Sequence, residues 1–128
     1  MPTVAGGWLG AHHYDDPRHG LPCDFEATFS AVGSDGMFHG TILDDGPLGE
    51  AVIHHARQIS EAVVFTKVYR LKHPGLVPVR YEGKLLEEGK LLRGKWAAFD
   101  NRRGGMKATR TGWWEARRIW QEQELVAL

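Results

Sequence analysis

Cys23 is the one cysteine in the chain, so no internal disulfide can form and the small secreted domains that depend on such staples are excluded. Charge of one sign is missing too. The 16 Lys and Arg residues balance 16 Asp and Glu, and the pI is ≈ 7.1, so the chain has no overall field to gather nucleic acid or an anionic membrane. No stretch approaches the roughly 18 apolar residues of a membrane-spanning helix. The opening MPTVAGGWLG has no basic segment leading into a long apolar run, and a cytoplasmic protein is the expectation. Long internal repeats are absent, which excludes solenoids and propellers.

What remains is ordinary globular material: 128 residues, 42% of them hydrophobic and 25% charged. That suits one domain spanning residues 1–128. The 16 glycines fall largely in turn-like clusters, spaced for short strands rather than helices. A first strand reads from Gly6 to Tyr14. From Asp24 to Ala31 every second residue is apolar, placing Phe25, Ala27, Phe29 and Ala31 on one face. Gly33-Ser34-Asp35-Gly36 makes a turn into a strand from Met37 to Leu43, which Asp44-Asp45-Gly46-Pro47 ends. Residues Glu50 to Arg57 read as a fourth strand, with a helix as the competing assignment because Ala51, Ile53, Ile59 and Val63 tolerate helical spacing. Val63 to Tyr69 is rich in β-branched and aromatic residues. Val77 to Leu86 and Leu91 to Phe99 form a long hairpin, and a last strand runs from Thr111 to Trp120 before a polar tail that could add a short helix. The pattern predicts an all-β fold, an antiparallel up-and-down barrel of about eight strands.

Charge is unevenly spread within the neutral total. Acids crowd Asp15 to Glu50 and bases crowd Lys90 to Arg118. Either the first and last strands become neighbours and compensate each other, or the basic segment forms a ligand-facing rim.

Gly6-Gly7-Trp8 resembles the G-x-W signature that opens lipocalins. Gly94-Lys95-Trp96, with Arg117 or Arg118 near the end, resembles the closing half of a barrel of the calycin superfamily. The resemblance implies that Trp8 lies across the barrel floor with Arg117 or Arg118 packed over its ring, a contact worth about 0.5–2 kcal/mol. The chain departs from secreted lipocalins in its shortness, its lack of a disulfide and its lack of a middle-strand signature.

Seven histidines invite a metal reading, but His12-His13 and His54-His55 are adjacent pairs. Neighbouring side chains on a strand face opposite ways, so neither pair can chelate one ion. No H-x-H, C-x-x-C or H-E-x-x-H occurs, and neither a metal nor any other cofactor is expected. If Trp8 points inward, Gly10, His12 and Tyr14 do as well, and one of His54 and His55 follows. These imidazoles could anchor a ligand, move a proton, or simply fill the core. Phe65, Lys67 and Tyr69 share a face, with Tyr81 in register beside them. That face could look into the lumen, or outward with Val64 and Val68 buried instead. Cys23 reads as a packing thiol rather than a nucleophile. Arg102-Arg103-Gly104-Gly105 reads as a solvated turn, because the strand, loop and helix order of a phosphate loop is missing. Of Trp113 and Trp114, one should face in and the other out, the outer one being available for a homodimer or partner contact.

The leading expectation is a binding protein for a small, largely apolar molecule, with Phe25, Phe29, Phe65 and Trp96 as walls and His12, His54 or His55, and Tyr81 as polar anchors. The alternative is a cofactor-independent isomerase, cyclase or lyase using His12, His54 or His55, Lys67, and Tyr69 or Tyr81. A third is a filled barrel serving as an interaction domain for a protein or nucleic acid.

Overall fold

The computed structural model describes residues 2–73, 76–100 and 107–121. Nine strands occur among them: β1 (Gly6–Tyr14), β2 (Cys23–Phe29), β3 (Met37–Phe38), β4 (Gly40–Asp44), β5 (Glu50–Ile59), β6 (Ala62–Tyr69), β7 (Val79–Leu86), β8 (Leu91–Asp100) and β9 (Lys107–Gln121). All the pairings are antiparallel: β1 with β2, β2 with β4, β3 and β4 each with β5, and β6, β7 and β8 each with the next in sequence. β5 pairs with β6 on one side and β9 with β1 on the other, so the sheet closes on itself. β3 and β4 are two pieces of one strand broken at His39, which leaves an eight-stranded, up-and-down barrel. The only helical turns among the described residues are Pro17–His19 and Glu87–Gly89. The expected helix after β9 and the Arg102 to Gly105 turn lie outside the described residues.

Residues 50–63, where helix and strand competed, form β5, a turn at Ser60-Glu61 and the start of β6, and β5 contains a bulge. His54 pairs with Thr66 and Arg57 with Val64, so β5 carries one extra residue, with His55 at φ 54. The bulge breaks the alternation that would have turned one of the two histidines inward. His54 and His55 are both exposed, while Ile53 and Ala56 on either side are buried. Neither histidine can serve the lumen.

One end of the barrel is filled. Trp8 has no exposed surface, and its indole Nε1 donates to the Val4 carbonyl at 2.9 Å. The Arg118 guanidinium sits 4.5 Å above the Trp8 ring and donates to the carbonyls of Gly89, Ala5 and Thr3. Arg117, the other candidate for that position, points outward to Glu87. The segment before β1 is stitched down as well: the Val4 amide donates to Gln58 Oε1, and Gln58 Nε2 donates to the carbonyls of Pro2 and Ser60. Above this floor Phe29, Phe38, Phe65, Tyr81 and Trp114 form a chain of edge-on, tilted and stacked ring contacts. Trp114 reaches across Gly83, where an added Cβ would stand 2.8 Å from its ring.

Trp113, as alternation requires, faces out, and His13 stacks on it at 3.8 Å. The uneven charges are not compensated across the β1–β9 seam. Among the described residues β9 pairs its charges with β8 through Arg93–Glu115 and with the 87–89 turn through Arg117–Glu87, and no ion pair joins residues 15–50 to residues 90–118.

Candidate functional site

The other end of the barrel is hollow. A cavity of ≈ 340 Å³ lies where β1, β4, β6 and β8 finish and β2, β7 and β9 begin, under the loops that carry Leu48, Leu76 and Val77. Its walls include Tyr14, Tyr69, Tyr81, Trp96 and Ala98, with His12 buried among them and Arg110 exposed. The cavity takes this form because strand alternation turns His12 and Tyr14, Lys67 and Tyr69, and Trp96 and Ala98 inward together. The indole of Trp96 is fixed by a 3.0 Å donation to the His13 carbonyl and lies over Gly112, whose missing side chain makes room for it.

Beside the cavity is a buried polar cluster. Lys67 is only 1% exposed, and its Nζ donates to both oxygens of Asp44, at 2.8 and 2.7 Å. Tyr69 donates its hydroxyl to Asp44 Oδ2. The ammonium also lies 4.6 Å from the Tyr69 ring centre and 5.7 Å from that of Tyr81. Burial pulls Lys67 below the usual lysine range against the opposing pull of Asp44. Burial raises the phenols of Tyr69 and Tyr81, and the Asp44 carboxylate adds to the effect. Both phenols are therefore neutral donors at physiological pH.

His12 is 5% exposed and packs edge-on against Tyr14 and Trp96. Its Nδ1 is buried without a hydrogen-bond partner, an arrangement that costs about 1–3 kcal/mol. Burial first, and the Lys67 cation second, lower its pKa from 6.5 to about 4. The unfolded chain therefore takes up a proton on His12 below pH 6.5 that the folded barrel refuses. His12 supports folding fully above 6.5, and that support declines as the pH falls to about 4, by about 3 kcal/mol in all. Urea midpoints measured across this window in metal-free protein should fall more steeply for the wild type than for His12→Gln. Equal slopes would mean that the imidazole is charged in the fold.

Cys23 lies opposite His12 in the β1–β2 register, half-buried, with its thiol 3.4 Å from the Asp45 carbonyl. A ring nitrogen of His12, the Cys23 sulfur and an Asp44 oxygen all lie within 4.8 Å of one another. The adjacent-histidine argument does not reach this trio, which strand pairing assembles from three separate strands.

Of the sequence candidates, the structure gathers His12, Lys67, Tyr69, Tyr81 and Trp96 at this end. Phe65, Lys67 and Tyr69 do face inward, with Phe65 opposite Tyr81, while Val64 and Val68 are only half-buried. Phe25, Phe29 and Phe65 are buried but do not line the cavity, because they fill the barrel interior instead. Asp44 was missed, because the Asp-Asp-Gly-Pro stretch reads as a turn. The alternation Ile42, Asp44 would have placed it inward. Compared with models of known protein families, with characterised proteins and with solved structures, the chain has no significant match.

Proposed function

We propose that this barrel is a calycin-like binding protein whose lumen holds one small, largely apolar molecule. The observation that carries this reading is the half-filled interior: packed aromatic floor at one end, cavity of ≈ 340 Å³ at the other. That volume falls within the range of small-molecule sites. Its lining supports the same reading, with aliphatic and aromatic walls and few polar groups: the neutral His12, the hydroxyls of Tyr14 and Tyr69, and the exposed Arg110. A ligand with an apolar body and one hydrogen-bonding end would satisfy that pattern, its polar end meeting His12 or Tyr69. The G-x-W opening and the Trp8–Arg118 stack support the calycin comparison.

A fluorescent apolar probe should bind saturably at one equivalent. Ala98→Phe, which fills the lumen wall, should weaken that binding by about tenfold or more, a loss of about 1.4 kcal/mol, with the urea midpoint little changed. Probe binding that is unsaturable, or indifferent to Ala98→Phe, would overturn the reading.

A second reading rests on the same cluster. The neutral His12 and the Lys67–Asp44–Tyr69 set are acid, base and electrostatic groups at the edge of an apolar cavity, which suits proton transfer on a bound molecule without a cofactor. Turnover of a bound ligand that disappears in His12→Gln while binding persists would favour it over simple carriage.

A further inference from the structure

We infer that His12, Cys23 and Asp44 form a binding site for a single zinc-like divalent cation, with an open coordination position towards the lumen. Three donors come from three neighbouring strands, all inward: His12 on β1, Cys23 opposite it on β2, and Asp44 on β4, whose register partner is Phe25 two residues beyond Cys23. Their ligand atoms lie within 4.8 Å of one another, so small side-chain rotations bring them around one ion. Imidazole nitrogen, thiolate sulfur and carboxylate oxygen are the donors zinc prefers. Three protein ligands with a vacant fourth position is the arrangement of sites that take water or a substrate.

Two further observations point to an occupant. The first is His12 itself, a buried imidazole whose Nδ1 has no partner in the protein, the kind of vacancy an ion or a bound molecule explains. The second is the way Asp44 is held. A carboxylate offers about four lone-pair positions. Lys67 takes one on each oxygen and Tyr69 takes one on Oδ2, which leaves a position free on Oδ1. Lys67 and Tyr69 then act as outer partners that fix the carboxylate, as groups behind metal ligands commonly do.

The charges constrain the fourth ligand. On binding, Cys23 gives up its thiol proton to solvent. The dication is then neutralised by the thiolate and the carboxylate, and the Lys67 ammonium remains as one positive charge. An anionic oxygen in the fourth position, such as hydroxide or the carboxylate of a lumen ligand, completes the balance. The site does not depend on the apolar-carrier reading.

The test is titration of the EDTA-treated 128-residue chain with Co²⁺ alone. The expected result is saturation at one equivalent, with thiolate-to-cobalt charge-transfer absorption and the intense visible bands of a tetrahedral ion, displaced by Zn²⁺. Cys23→Ser should abolish the charge-transfer band. His12→Gln should weaken binding by at least the roughly 10–100-fold that even outer partners command. Urea midpoints measured on the same metal-free samples show whether each variant is folded, and apolar-probe binding by the wild type is read separately, so that failure of the metal site and failure of the carrier reading are told apart. Because Cys23 is half-buried and serine is close to isosteric, that variant keeps the test decisive even if His12→Gln folds poorly. No charge-transfer band in the wild type, or a spectrum unchanged in Cys23→Ser, would overturn the inference. So would binding lost only on replacing the exposed His54 and His55.

Discussion

Replacing Asp44 with asparagine should destabilise the metal-free barrel by about 3–5 kcal/mol. The substitution keeps the shape of the side chain and removes its charge. Lys67 is then left almost wholly buried with an ammonium and no counter-ion, and Tyr69 loses a charged acceptor. Urea denaturation at neutral pH reads the loss directly. The informative companion is a triple variant, Asp44→Leu with Lys67→Met and Tyr69→Phe, which removes the whole polar set at once. It should recover to within about 2 kcal/mol of the wild type, because two desolvated charges gain little net energy from each other once the expense of dehydrating them is counted. That pairing of results would locate the value of the cluster in what it does for the lumen rather than in holding the fold. A loss below about 1 kcal/mol in Asp44→Asn would instead mean that solvent reaches Lys67 freely.

Trp8→Ala should be equally damaging, at about 3–5 kcal/mol. The indole is wholly buried at the filled end, bonded to Val4 and capped by Arg118. Removing it opens a void that the surrounding strands, tied into a closed sheet, can only partly collapse. Arg118→Ala should cost about 2 kcal/mol, since its guanidinium satisfies three backbone carbonyls as well as covering the ring. Arg117→Ala, which breaks an exposed pair with Glu87, should stay within about 0.5 kcal/mol. A cycle of Trp8 and Arg118 variants should give a coupling of about 0.5–2 kcal/mol. Equal effects of the two arginine substitutions would assign the cap wrongly.

The barrel was legible in the sequence wherever period two ran undisturbed. Phe25, Ala27 and Phe29 announce which face is buried, and the glycine clusters mark where the chain reverses. The face of Phe65, Lys67 and Tyr69 stayed open between lumen and solvent, because Val64 and Val68 offer the opposite face an equally apolar claim to burial; the structure turns Lys67 inward. What defeated the reading was local disruption. A bulge at His55 cannot be seen in a periodic pattern, because one inserted residue shifts every later assignment to the other face. Asp44 hid in a string of turn-forming residues although it is the last inward position of β4. The trio His12, Cys23 and Asp44 was invisible for a different reason. Metal-binding signatures are short-range in sequence, whereas a barrel gathers ligands across strands whose separation along the chain is arbitrary. The depth to which aromatic side chains fill the interior is likewise a matter of three-dimensional packing, so Phe25, Phe29 and Phe65 could be assigned to the inside but not to floor or wall.

Closure of the sheet through β1 and β9 has a consequence for how the chain comes to be folded. Gly6 lies opposite Gln121, so the first strand made is completed by the last. During synthesis β1 to β8 can pair in sequence, but the growing sheet keeps two open edges until β9 arrives, and long-range pairing of this kind places all-β domains among the slower folders. The exposed outer side chains of β1 and β9, Leu9, Ile119 and Trp120, border that seam. The nascent chain is therefore most open to wrong pairing, with itself or with a neighbouring chain, in the interval between completion of β8 and release of β9 from the ribosome.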